Sequence, residues 1–252
     1  LATAYSERFS LSDDDKKYLD NYQAMASNMH IDMVSFMQSN KNKNVLFEGA
    51  QGALLDIDSG TYPFVSSGSS CAAGACTGGG IGPKDIENII GVMKAYNTRV
   101  GNGPFPTEYT KDEQKLCNFI RETGHEYGVT TGRPRRCGKL DLVALKYACQ
   151  VNSINSLALT HLDILDTLDE IEVCIGYDGY DSFPTQMEGI KPIYKTMEGW
   201  KSSTFGIHEI KKLPMVARYY ISEIEQYCDV TVDLISTGPE RLQTISRFDY
   251  WS

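Results

Sequence analysis

No stretch of this chain approaches the run of about 18 apolar residues that a membrane-spanning helix needs. Positive charge is also scarce: 24 Lys and Arg stand against 33 Asp and Glu, a formal net charge of −9. Without a basic face to release counterions from phosphates, a general nucleic-acid role is excluded. Seven cysteines, an odd number scattered from position 71 to 228, do not make a secreted disulfide framework. They predict small buried thiols and a reducing, cytoplasmic compartment. The first ten residues, LATAYSERFS, have neither the basic nor the apolar region of a signal peptide. Several catalytic signatures are missing too. There is no GxxxxGK[ST] phosphate cradle, no Gly-x-Ser-x-Gly elbow, and no second histidine four residues after His125 for a zinc protease. Cys71 and Cys76 have no second pair or histidine cluster to complete a zinc site, so no metal ligands are expected in this chain.

What the sequence does contain is enough apolar content, 41%, for a real core. Residues 14–40 open with acidic residues and carry Tyr18, Tyr22, Met25, Met29, Met33 and Phe36 at helical spacing. The spacing predicts one long helix with a core-facing stripe. VLFEG (45–49) reads as a buried strand, and the Gly/Ser/Ala-rich stretch from Gly49 to Pro83 as a long functional loop. A helix is expected from Pro83 to Tyr96, then a short strand at NTRVG. Further helices are expected near 112–122, over 141–151 and over LPMVARYYISEIEQYC, with strands at SLAL, EIEVCIGY and DVTVDLI, where Thr160 and Ser236 open loops. Alternating helices and strands predict an α/β fold, a mostly parallel central sheet flanked by helices. The expected organisation is a helical N-terminal segment (1–42), an appendage or lid, followed by an α/β portion (43–252).

In open α/β sheets ligands bind outside the carboxyl ends of the strands, where the loops EGAQG, THLD and STGP fall. Gln51 offers an amide donor and acceptor. Asp163 offers a carboxylate that can take two parallel N–H bonds, although a turn or helix-cap role fits it as well. TTGRPRR (130–136) packs three arginines into four positions of an acidic chain. Such clustering is costly unless anions sit among the guanidinium groups. Either carboxylates of the chain itself or a small carboxylate or phosphate ligand can supply them.

Five ordered motifs then carry a resemblance: FEGAQGALLDIDSGTYPFVSS, TRVGNGPFPTE, EYGVTTGRPRRCGKLD, THLDILD and ISTGPER. Together they resemble the adenylosuccinate synthetase family, from about Val45 to Arg241. The resemblance implies a P-loop-NTPase-like synthetase fold, here incomplete at its N-terminus. It also implies a GTP- and Mg²⁺-dependent ligase of IMP and L-aspartate in AMP biosynthesis, acting through a 6-phosphoryl-IMP intermediate as a homodimer. Gln51, Ser66, Val100 and Arg133 are implied to bind IMP, with Gln51 supporting the transition state. Val129, Thr130, Thr131, Gly132, Arg133 and Arg135 are implied to bind aspartate. Arg135, His161, Leu162, Asp163, Ser236, Thr237 and Gly238 are implied to bind GTP. His161 stands where the family usually has lysine, and Ser66 where it usually has threonine. The family's GDEGKGK-like loop, which supplies the base and the Mg²⁺ ligands, does not occur in the sequence, nor does the histidine acid that follows it. The chain therefore reads as the C-terminal part of the enzyme, inactive in isolation. The alternative is a non-catalytic nucleotide-binding fragment or paralogue of the same family.

Overall fold

The computed structural model describes residues 9, 11–27, 29–128, 132–184 and 186–249. A four-stranded sheet forms its centre, in the order β1-β5-β8-β9. The strands are β1 (Ile90–Lys94), β5 (Ser156–Thr160), β8 (Thr231–Ser236) and β9 (Thr244–Ser246). The first three run parallel, and β9 returns antiparallel. SLALT becomes β5 because a strand flanked on both sides must be apolar almost throughout. Leu157 and Leu159 are accordingly buried.

Two smaller pairings flank this sheet. β2 (Asn97–Arg99) lies antiparallel to β3 (Arg136–Gly138). β4 (Leu140–Asp141) lies parallel to β6 (Glu170–Tyr177), whose other edge takes β7 (Pro192–Glu198) antiparallel. The fold is therefore α/β as expected, with parallel strands at its centre and antiparallel returns at its margins.

The helices are α1 (Asp13–Ser27), α2 (Met33–Ser39), α3 (Gly74–Gly79), α4 (Gln114–Thr123), α5 (Leu142–Asn152) and α6 (Met215–Cys228). Helix α6 follows Pro214 and buries Ala217, Tyr220, Ile221, Ile224 and Cys228, the three- and four-residue spacing of one face. At about 1.5–3 kcal/mol for each large apolar side chain, this face contributes strongly to the core. Asp141 caps α5 by accepting from Ala144 N at 3.0 Å, and also accepts from the buried Tyr177 hydroxyl at 2.5 Å. All seven cysteines are free thiols, five of them buried. Among the described residues no helix is long and apolar enough to cross a membrane.

Three local expectations are corrected. The helix expected over 83–96 is a single turn at Pro83–Asp85, followed by β1. Isoleucine and valine around Gly91 favour extended backbone, and pairing with β5 decides the outcome. The single helix expected over 14–40 is two. Asp32 starts the second by accepting from Val34 N at 3.1 Å and Ser35 N at 3.4 Å. The stripe on the first faces outward, with Tyr18 71%, Tyr22 64% and Met25 65% exposed. Finally, residues 45–49 form no strand, and Leu46 is 74% exposed. A strand needs a ladder partner, and no described strand lies alongside them.

Candidate functional site

Parallel pairing places Lys94 opposite Thr160 and Leu159 opposite Ile235. The carboxyl ends of β1, β5 and β8 therefore lie side by side, bringing Lys94, His161–Asp163 and Ser236–Gly238 to one edge. His161 adopts a left-handed φ of 59° and opens the short 3-10 helix Leu162–Leu165. Leu162 and Leu165 are pinned in the core, so only the backbone of Leu162 can face a ligand. Asp163 is half-buried, and burial raises its carboxyl above the usual range. Ser236 Oγ donates to Gly238 O at 2.8 Å. The buried Thr237 hydroxyl donates to Ile207 O at 2.8 Å, so it shapes the loop. A Cβ on Gly238 would come within 3.0 Å of Phe205 Cε2, a close approach that only glycine allows.

The arginine loop is organised by a residue that the motif reading passed over. Glu126 is fully buried. It accepts from Lys94 Nζ, from Tyr96 OH at 2.7 Å and from Arg135 NH1 at 2.8 Å. Burial opposes its ionisation, but these donors outweigh burial and hold the carboxyl below its usual range. Burial first, and then the Glu126 carboxylate, push the Tyr96 phenol well up. The Tyr96 oxygen lies 3.2 Å from His161 Nδ1, with the two rings edge-on at 80°. Burial first, and then Lys94, lower the imidazole pKa.

Arg136 takes Glu108 in a forked pair, Nε to Oε1 at 2.9 Å and NH2 to Oε2 at 2.5 Å. Its NH1 donates to Gly103 O at 2.9 Å and Gly101 O at 3.2 Å. Two of the three clustered arginines thus meet carboxylates of the chain itself, one of the two sources of negative charge that the sequence left open. Arg133 is exposed beside Gly132, whose φ is 62°. Val129, Thr130 and Thr131 lie outside the described residues.

Gln51, Ser66 and Val100 belong to a neighbouring group of loops. Gln51 is exposed with φ 62°, and Val100 is 69% exposed. Ser66 Oγ donates to Leu55 O at 2.8 Å. The loop closes on Asp56, which is 2% exposed. Its carboxylate accepts from Asp58 N at 3.0 Å, Ser59 N at 2.9 Å, Ser70 N at 2.7 Å and Cys71 N at 3.0 Å. Arg99 ties this loop to β2 by donating to Thr61 Oγ1 at 3.0 Å and Phe64 O at 3.1 Å. Since Arg99 pairs with Arg136 across β2 and β3, the two groups of loops share one brace.

Asp56, Lys94, Tyr96, Arg99, Glu108 and Glu126 were missed from sequence. Only Asp56 carried a local sign, because Asp-x-Asp-Ser-Gly invites an Asx turn. The other five act through partners distant in the chain. Gly138 anchors the brace: a Cβ there would collide with Thr107 O and come within 2.8 Å of Phe105 Cζ. Gly138→Ala is expected to lower stability by about 1–3 kcal/mol through overpacking, read as a fall in the thermal midpoint. An unchanged midpoint would show that the brace yields.

The adenylosuccinate synthetase family model matches residues 2–245. The adenylosuccinate synthetase of Clostridium novyi (strain NT) is 46% identical over 241 residues, covering 91% of this chain and 56% of that protein. That of Chromohalobacter salexigens is 46% identical over 226 residues, covering 86% and 52%. The chain thus spans a little over half the length of these curated relatives. The solved structure of fully ligated adenylosuccinate synthetase from Plasmodium falciparum matches with a TM-score of 0.85 at 39% identity, covering 94% of this chain and 58% of that one. Cyanophage S-2L succinoaminodeoxyadenylate synthetase, at 16% identity and a TM-score of 0.54, shares the fold alone.

Proposed function

Because the chain belongs to the adenylosuccinate synthetase family, we propose that it forms the nucleotide- and aspartate-binding part of a ligase joining IMP and L-aspartate at the expense of GTP. The observation that carries this reading is the convergence of Asp163, Ser236–Gly238 and the Glu126-held arginine loop at the carboxyl edge of β1, β5 and β8. At that edge the Asp163 carboxylate accepts the ring N–H and exocyclic amine of guanine. His161 covers the base where a lysine stem serves in relatives. Gln51, Ser66 and Val100 hold the base, phosphate and ribose of IMP. Because the Ser66 hydroxyl donates to Leu55 O, donating to a phosphate there requires its proton to turn away from that carbonyl.

The proposed reaction has two steps. Loss of the N1 proton from IMP lets O6 attack the γ-phosphorus of GTP, so the O6–P bond forms as the β–γ bridge breaks and GDP leaves. The aspartate amine then attacks C6 and expels phosphate. Arg133 orients the aspartate carboxylates, and Arg135 meets charge developing on the transferring group. The general base and acid are assigned to the length of the family that this chain does not span. Among the described residues no group of three or more His, Cys, Asp or Glu could hold a metal ion. The ligands of the Mg²⁺ in the proposed reaction are assigned, like the base and acid, to the length of the family that this chain does not span.

The test uses ITP, which lacks the exocyclic amine of GTP. In the whole protein, Asp163→Asn is expected to lower kcat/KM for GTP by about 100-fold, the loss of a charge-assisted pair. The preference for GTP over ITP should shrink with it. An unchanged GTP/ITP ratio removes Asp163 from the base site.

A further inference from the structure

Building on the proposed reading, we infer that Glu126 is a positioning residue that aims Arg135 and links the arginine loop to the base-binding end of β5. The arrangement is directional. Glu126 Oε1 takes Lys94 Nζ and Tyr96 OH, while Oε2 takes Arg135 NH1. The chain is held at a second point, where Arg135 N donates to Glu126 O at 2.9 Å. A side chain held at its backbone and at one guanidinium nitrogen has little freedom left to swing. Lys94 and Arg135 set two positive charges against one buried carboxylate, so this corner of the loop keeps a surplus of positive charge. Arg135 Nε is buried and has no hydrogen-bond partner among the described residues. An orphaned guanidinium N–H is costly to bury, and an anion or a bridging water supplied on ligand binding would satisfy it.

The other arm reaches the base site. Tyr96 spends its proton on Glu126, so its oxygen is left to accept from His161 Nδ1 at 3.2 Å. That contact places the imidazole proton on Nδ1 and fixes the plane of the ring against the base. One carboxylate thereby sets the geometry of a side chain in each of two neighbouring subsites. Nothing in the arrangement requires Glu126 to touch a substrate.

Glu126→Gln keeps the shape but offers one acceptor, and its amide N–H groups then confront Arg135 or Lys94 as donor against donor. In the whole protein this variant is expected to raise KM for aspartate and for GTP about tenfold, the loss of a charge-assisted bond. KM for IMP should rise less than either, because Ser66 rides on the loop that Asp56 closes and, of the groups assigned to IMP, Arg133 alone stands on the arginine loop. A loss of stability alone does not separate the three substrates in this way. Tyr96→Phe removes the arm to His161 and one donor to Glu126 Oε1 but leaves the Oε2 contact with Arg135, and is expected to raise KM for GTP more than KM for aspartate. Glu126→Asp keeps the charge and should recover part of the aspartate KM. Equal changes in all three KM values, or none, overturn the inference.

One readout needs no turnover. The Arg135 side-chain N–H resonances of the ligand-free protein should show hindered guanidinium rotation in the wild type and averaged rotation in Glu126→Gln, or in Glu126→Asp if the glutamine variant does not fold. Free rotation already in the wild type sinks the positioning role. Hindered rotation in a wild type without ligase activity upholds it and sinks the proposed reaction instead.

Discussion

Replacing Arg133 with alanine in the whole protein is expected to lower kcat/KM for aspartate by about 100-fold or more, with a thermal midpoint that hardly moves. The size follows from chemistry. A guanidinium that forks onto a carboxylate gives up about 1.5–3 kcal/mol per charge-assisted bond when removed, and here two bonds are at stake. The neutrality for stability follows from position. Arg133 is exposed, where a side-chain contact shared with water is worth little, and its backbone carries bonds of the loop. Gly128 N donates to Arg133 O at 2.8 Å, and Tyr127 bridges to Pro134, both of which alanine preserves. Arg133→Lys should recover little, since an ammonium cannot make the two parallel bonds. Steady-state kinetics with aspartate varied at saturating IMP and GTP, alongside thermal melts, make the measurement. Kinetics unchanged from the wild type would remove Arg133 from the aspartate site.

The second large effect concerns Asp56, where the result is read in stability first. Asp56→Ala is expected to cost about 3 kcal/mol. Four backbone N–H groups lose their acceptor, but those at the loop surface regain water and offset part of the loss. For a chain of this size that is a fall of roughly 8 °C in the thermal midpoint. A weaker hold on IMP should accompany it, because Ser66 rides on the loop that Asp56 closes. The pH dependence has a definite sign. Burial opposes ionisation of Asp56, but the four N–H donors outweigh it and depress the carboxyl pKa. Its stabilisation is therefore complete above the pKa of an unfolded aspartate, about 3.9, and is lost as pH falls through the lower folded value. Acid titration of wild type and Asp56→Ala should converge at low pH. A constant gap between the two curves contradicts this account.

Some of this protein was open to reading from sequence alone. EIEVCIGY gave its strand to the residue, Glu170–Tyr177, because its apolar content and flanking turns are local. The α5 helix was expected over 141–151 and spans Leu142–Asn152, since Asp141 is a strong cap. The candidate binding residues Gln51, Ser66, Arg133, His161, Asp163 and Ser236 stand in motifs whose order along the chain was itself legible. The misreadings share a cause. The stripe of α1 has the right periodicity, but periodicity marks an apolar face without saying what covers it. Residues 83–96 mix helical and extended signals, and β5 alone, more than sixty residues away, tips them.

The same division separates the site residues. Sequence by itself determined the α/β class, the loops that follow the parallel strands, and the density of arginine at 133–136. These depend on torsional preference, side-chain spacing and the inventory of charged groups, all of which a chain carries locally. Only the tertiary structure decided which arginine meets which carboxylate. Glu108 and Glu126 are two of the 33 acidic residues and carry no mark along the chain. They gain their roles because the pairing of β2 with β3 brings Arg136 to Glu108, and because the end of β1 delivers Lys94 and Tyr96 to the carboxylate that holds Arg135. Coulomb attraction and hydrogen bonding act over a few ångströms of space, and strand order, not distance along the chain, determines what lies within that reach.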